Sequence, residues 1–405
     1  MKNYQSKILL LSFLIIIFAT FAAAQKFANL ALTPPMGWNS WNGFGCQVDE
    51  KLIRETADSI VSSGMKDAGY QYVVIDDCWH GTRDAEGFIQ PNAQHFPSGM
   101  KALGDYIHSK GLKFGIYSDV GAKTCGGHPG SRGHEYQDAL TYAKWGVDYL
   151  KYDWCNSEGI NPIGAYTTMR DALYATGRPI VFSICEWGDN KPWEWAKPIG
   201  HLWRTTGDIT HCWDCEENHG SWSSWGIMRI LDKQKGLRIH AALGSWNDPD
   251  MMEVGNGMTN GEDRAHFSLW AMLAAPLIAG NDARKMTKET QSILTNKEVI
   301  AVDQDSLGIQ GFPAITEDGL EIWVKPLSND EWAVCFLNRS SEAKTVNFGW
   351  KENFIKDDSF QRQLDAKKTT YKIRDLWAKK DLGTTETPLR TTIPMHDVAM
   401  FRLMK

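Results

Sequence analysis

Between Ala31 and Gly311 one pattern recurs along the chain: an amphipathic helix closes at a glycine, a short β-rich run follows, and an acid ends it. The stretch after Asp49 puts Ile53, Ala57, Ile60 and Val61 at the i, i+4, i+7, i+8 spacing of one core-facing helix stripe. Gly69, Gly111, Gly146, Gly177 and Gly200 then precede Tyr70–Asp77, Leu112–Asp119, Val147–Asp153, Arg178–Glu186 and His201–Asp208. In this pattern each glycine reads as a helix terminus accepting left-handed backbone angles.

Strands alternating with helices imply a parallel sheet. Adding Met36–Trp38, Gly244–Trp246 and Pro276–Ala279 brings the strands to the number that closes a barrel. An α/β fold, a (β/α)8 TIM barrel, is expected over 25–305, with the strand-end acids gathered at one mouth. Past Asp305 the period shortens. Gly319–Val324, Glu331–Leu337, Lys344–Phe348 and Asp397–Leu403 alternate between turn residues, predicting a C-terminal antiparallel β-sandwich domain over 306–405. Lys356–Lys368 reads as a solvated surface segment.

The N-terminus has a different logic. Lys2 and Lys7 precede an apolar run from Ile8 to Ala19 and the small residues Ala22–Ala24. That order predicts a secretory signal over 1–24, cleaved near Ala24, and an extracellular or periplasmic protein. Cleavage removes two lysines and no acids, so the net charge of −6 becomes −8. An acidic chain without basic clusters excludes nucleic acid and anionic membrane as expected partners and favours small polar ligands. In an oxidising compartment the eight cysteines should be largely paired. The 18 tryptophans add a weak pull towards carbohydrate, since indoles stack on sugar faces as well as filling cores.

Two acids at the mouth carry the candidate chemistry. A retaining glycosidase needs two carboxyl groups about 5–5.5 Å apart, one to attack the anomeric carbon and one to protonate the leaving oxygen. Asp153 and Asp208 close the fourth and sixth strands. Lys151 lies two residues before Asp153 on the same strand face, so its charge is expected to hold Asp153 ionised. Asp76 and Asp77 are adjacent, and strict alternation would send them to opposite faces unless the strand bends there. Acids at a barrel mouth can also bind divalent ions. With no His-x-His and no His-Glu-x-x-His, neither a metal nor any other cofactor is expected. His211-Cys212-Trp213-Asp214-Cys215 has no second cysteine pair at zinc-ligand spacing.

With these residues placed, the chain resembles the melibiase-type α-galactosidases, glycoside hydrolase family 27, from about Leu32 to the C-terminus. The motifs, in order, are Pro35–Trp41, Ile75–Trp79, Gly115–Asp119, Lys151–Cys155, Cys185–Gly188, Trp203–Asp208 and Trp246–Met251. The resemblance implies a barrel plus sandwich that hydrolyses terminal non-reducing α-D-galactosyl residues of oligosaccharides, galactomannans or glycoconjugates by double displacement. It implies Asp153 as nucleophile and Asp208 as acid/base. Asp76 and Asp77 would accept the sugar's 4- and 6-hydroxyls and Lys151 would meet the 3- and 4-hydroxyls, with Glu186 and Arg204 on the 2-hydroxyl side. Trp38 and Trp187 would wall the ring, with Tyr117, Asp250, Met251, Cys125 and Cys155 lining the pocket.

It also implies the Cys125–Cys155 disulfide; this and Cys46–Cys78 are expected to tie neighbouring strand-end loops, and Cys212–Cys215 is expected as a local pair. Trp154 and the Cys212–Cys215 segment depart from the family pattern and are expected at the pocket rim, bearing on the leaving group. A large acid at Glu186 argues against N-acetylgalactosamine as substrate, and the Asp76–Asp77 pair argues against a β-L-arabinopyranoside, which lacks the 6-hydroxyl. A sugar-binding module that has lost catalysis is the competing class, and retention of both carboxylates argues against it.

Overall fold

The computed structural model describes residues 26–405. The expected signal segment lies outside the described residues. Among the described residues no helix is long and apolar enough to cross a membrane.

Eight parallel strands form one sheet: β1 (Met36–Asn39), β2 (Tyr72–Ile75), β3 (Lys113–Asp119), β4 (Tyr149–Asp153), β5 (Val181–Cys185), β6 (Leu202–Arg204), β7 (Trp246–Asp248) and β8 (Leu277–Ala279). Each pairs with its neighbours in chain order, and β8 returns to β1. The remaining seam closes just past β7, where Met252 bridges Ala279: Met252 N donates to Ile278 O at 2.7 Å and Gly280 N to Met252 O at 3.0 Å. The result is a barrel, a packed core rather than a pore.

The intervening helices are built as the sequence pattern requires. Helix α1 (Glu50–Ser62) starts on Asp49, whose carboxylate accepts from Leu52 N at 2.7 Å. Ile53, Ala57 and Ile60 are fully buried, but Val61 is 36% exposed. At 100° per residue, Val61 sits about 80° from Ile53, at the edge of the stripe rather than in it. Gly146 and Gly177 take the left-handed angles expected of helix ends. Gly200 does not. A Cβ there would come within 2.8 Å of Ile184 Cδ1, so this glycine is required by close packing against β5.

Beyond the barrel a six-stranded antiparallel sheet contains β9 (Phe312–Glu317), β10 (Leu320–Pro326), β11 (Trp332–Asn338), β13 (Lys372–Asp375), β14 (Lys380–Thr384) and β16 (Val398–Met404). The pair β12 (Lys344–Phe348) and β15 (Leu389–Ile393) covers it. Val334, Phe336, Phe348, Trp350 and Phe401 fill the space between. The opposite face of the large sheet, through Trp323, Ala333, Cys335 and Met400, joins the barrel's own apolar cluster. Arg238 crosses the same boundary to Asp357, with its two bonds at 2.6 and 2.7 Å and both side chains buried. Six tryptophans, Trp38, Trp79, Trp203, Trp246, Trp270 and Trp323, are fully buried, so much of the indole content serves the core.

Candidate active site

The carboxyl ends of the strands bring the candidate residues to one mouth in two layers. Register aligns Asp119, Asp153 and Cys185 across β3, β4 and β5, and aligns Tyr117, Lys151 and Ser183 one layer below. Side chains two residues apart on a strand share a face, so both layers point inward.

Asp153 is 5% exposed, and its Oδ1 accepts from Trp154 N at 2.9 Å. Burial pushes its carboxyl up to about 6, against the opposing charge of Lys151 and with the repulsion of Asp208 added. Lys151 does favour the ionised form of Asp153, as expected, but burial outweighs it. The ammonium of Lys151 goes instead to Asp76 Oδ2, at 2.8 Å, and acts on Asp153 only through space. Asp208 is different: its side chain is 38% exposed, and Oδ1 accepts from Arg204 Nη2 at 3.1 Å. The same nitrogen lies 2.7 Å from Asp250 Oδ2. Burial lifts Asp250 to about 7 even so, with Asp208 and Asp248 adding repulsion.

Asp76 and Asp77 stand together because β2 ends at Ile75, before alternation would separate them. Asp77 N donates to Asp76 Oδ1 and Cys78 N to Asp77 Oδ1, at 2.9 and 2.7 Å, in a turn where Cys78 takes a left-handed φ of 74°. Asn39 Nδ2 holds Asp76 Oδ2 at 2.7 Å, and Gly126 N holds Asp77 Oδ2 at 2.7 Å. Glu186, the residue after β5, is fully buried. Its Oε2 accepts from Asn190 N and Nδ2 at 2.8 and 2.9 Å, while Oε1 has no partner. Burial raises its carboxyl to about 7. Its neighbour Trp187 sits at φ 60°, and the indole of Trp38 donates to Asn281 O at 2.7 Å.

Cys46–Cys78 ties the loops after β1 and β2, and Cys125–Cys155 those after β3 and β4. Tyr117 Oη donates to Cys125 Sγ at 3.3 Å. Cys212 and Cys215 also pair, so neither offers a free thiolate to zinc. A concavity at the strand ends is lined by Lys151, Cys185, Arg204, Asp248, Asp250 and Met251.

Residues 33–305 match the family model described as alpha galactosidase A, and residues 317–403 match that of the alpha galactosidase C-terminal beta sandwich domain. The chain belongs to the α-galactosidase A family. Alpha-galactosidase A of Cellvibrio japonicus is 61% identical over 94% of each chain. Among solved structures, α-galactosidase I from Mortierella vinacea has a TM-score of 0.85 at 39% identity, covering 93% of this chain and 98% of that one. The Saccharomyces cerevisiae α-galactosidase with raffinose has a TM-score of 0.85 at 34% identity, covering 92% and 98%.

One expectation needs correction. Trp154 is not at the rim; it is 8% exposed and stacks on Tyr166 with ring centroids 5.7 Å apart. Trp213, inside the Cys212–Cys215 segment, is also buried and stacks on His396 of the sandwich at 4.6 Å. Sequence reasoning gave no role to three buried groups at strand ends. Asp119, fully buried, accepts from Gly121 N and Cys155 N at 2.6 and 3.0 Å; burial, with repulsion from Asp153, lifts it to about 8. Asp248 accepts from Asp250 N at 2.9 Å, and Cys185 is a buried free thiol in register with Asp153. The signal for Asp119 was present: it closes its strand as Asp153 does.

Proposed function

We propose that this chain is a retaining exo-α-galactosidase working through Asp153 and Asp208. The observation that carries the reading is the asymmetry of the two carboxylates at one mouth. Asp153 is buried against the floor, while Asp208 is partly open to solvent and close enough to oppose ionisation of Asp153. A buried carboxylate suits attack on the anomeric carbon beneath the sugar. An accessible one suits proton traffic with a leaving group and then with water.

In the first displacement Asp153 Oδ attacks C1, the C1–O bond breaks, and the leaving oxygen takes its proton from Asp208. In the second, Asp208 removes a proton from water, the water oxygen attacks C1 from the opposite side, and Asp153 leaves as carboxylate. Two inversions return the original anomer. Around the sugar, the Asp76–Lys151 ion pair presents charged acceptors and a donor to adjacent hydroxyls, and the unpartnered Glu186 Oε1 reads the 2-position with Arg204. Each hydroxyl left without its buried partner costs about 1–3 kcal/mol, which is how such a pocket rejects an epimer.

The three disulfides fit export to an oxidising compartment, and residues 25–305 form the catalytic unit in this reading, with 306–405 as the attached sandwich. The deciding experiment is hydrolysis of 4-nitrophenyl α-galactoside followed by NMR. The first sugar formed should be the α-anomer; release of the β-anomer would exclude double displacement.

A further inference from the structure

The His80 side chain is fully buried, and among the described residues neither of its ring nitrogens has a hydrogen-bond partner. A neutral imidazole carries one N–H, so a donor and an acceptor are both stranded there, at about 1–3 kcal/mol for each unmatched group. Protonation offers no escape. Burial, with repulsion from His128 and Arg83, holds the ring well below the ordinary histidine range. Nor is the ring free to turn away: Trp79 stacks on it with centroids 3.9 Å apart, His128 lies nearly parallel at 6.0 Å, and Tyr117 meets it edge-on at 6.3 Å.

In this fixed orientation Nδ1 stands 3.5 Å from Asp77 Oδ1, across the left-handed turn at Cys78. Asp77 accepts from Cys78 N and Gly126 N, both at 2.7 Å, and from the Thr124 hydroxyl, yet burial still raises its carboxyl. A further donor therefore favours the charged form that accepts from a sugar. The two tautomers of His80 are unequal here. With the proton on Nε2, the Nδ1 lone pair would face a carboxylate oxygen and the N–H would stay unmatched. With the proton on Nδ1, a donor faces an acceptor, and a closure of about 0.3 Å brings the contact into N–H···O range. Contacts of this kind in a ligand-free site tighten when substrate binds.

We propose that His80 is a positioning residue for sugar recognition: its Nδ1–H donates to Asp77 Oδ1 and holds that carboxylate as the acceptor of a galactose hydroxyl. The proposal rests on the α-galactosidase reading above. It places a neutral imidazole behind the binding acid, where it orients the carboxylate without changing charge itself. A ring that merely filled the space beside Trp79 would have the same burial but no dependence on Asp77.

The test measures 4-nitrophenyl α-galactoside hydrolysis in His80→Leu and His80→Asn, each alone and combined with Asp77→Asn. Leucine and asparagine have the same branched shape, but only asparagine keeps a nitrogen donor where Nδ1 stands. We expect His80→Leu to raise KM roughly fivefold or more with kcat changed less than about twofold, and His80→Asn to recover most of that loss. In the Asp77→Asn background His80→Leu should change KM by less than about twofold, because the charge through which it acts is already gone. Equal losses in the two His80 variants, a loss as large in the Asp77→Asn background, or a lowered thermal melt with KM untouched would each overturn the positioning role. Nitrogen NMR of the histidine-labelled wild-type enzyme gives a check that needs no folded variant: the His80 proton should sit on Nδ1, and a proton on Nε2 would overturn the proposal. A wild-type enzyme that leaves the aryl galactoside uncleaved would instead remove the α-galactosidase reading.

Discussion

Lys151 gives its ammonium to Asp76, at 2.8 Å, and not to Asp153 two residues further along the same strand. Alternation puts both side chains inside the barrel but one layer apart, and the cation finds the acid that ends the strand next but one. Asp153 is thereby left as a buried carboxylate whose nearest cation is already engaged.

The first prediction is a pH limb. Asp153 must be ionised to attack, and its folded carboxyl lies near 6. In the ligand-free enzyme kcat/KM should therefore fall as pH drops through about 6. Removing the opposing charge in Lys151→Met should move that limb to higher pH, alongside a loss of affinity. A profile of kcat/KM against pH with an activated aryl galactoside checks both. A limb that stays put in the variant would mean that Lys151 does not act on the nucleophile.

Stability should respond in the opposite sense. With a folded pKa near 6 against an ordinary value of 3.8, folded Asp153 binds more protons than unfolded across that window, so its ionisation costs stability as pH rises through it and costs fully above it. At roughly 1.4 kcal/mol per unit the penalty is on the order of 3 kcal/mol. Asp153→Asn should be inactive yet melt a few degrees higher than wild type at pH 7.5, with the difference vanishing near pH 4. Calorimetry at the two pH values measures this.

Asp208 should reveal itself through the leaving group. In Asp208→Asn, melibiose turnover should fall by about 10²–10⁴-fold because its alkoxide needs a proton. A 2,4-dinitrophenyl galactoside needs none and should lose much less in the glycosylation step, with added azide restoring turnover as the α-galactosyl azide, the product of two inversions. Equal losses on both substrates without azide rescue would shift the acid role to Asp250, held now by Arg204 and by Ile209 N at 3.0 Å.

Glu186 should control the 2-position. Replacing it with Ser, together with Trp187→Ala, removes both a buried charge and bulk beside the unpartnered Oε1. The ratio of kcat/KM for the N-acetylgalactosaminide over the galactoside should rise by roughly tenfold or more. An unchanged ratio would show that Glu186 does not face C2.

The recurring helix, glycine, strand and acid units of this chain contained the barrel, because periods of 3.6 and 2 are local properties that record which side of each element must avoid water. The acids at the ends of β3, β4 and the sixth strand region were legible for the same reason, as was the shift to short alternating runs beyond Asp305. Their partners were not. Whether Lys151 meets Asp76 or Asp153, and that Arg204 serves both Asp208 and Asp250, follows from the stagger at which neighbouring strands close the barrel. Gly200 is small because Ile184 on another strand needs the room, and Trp154 turns into the core because Tyr166 offers it a ring. Those outcomes depend on contacts between residues far apart in the chain and on how much water remains around each charge, which only the packed tertiary structure decides.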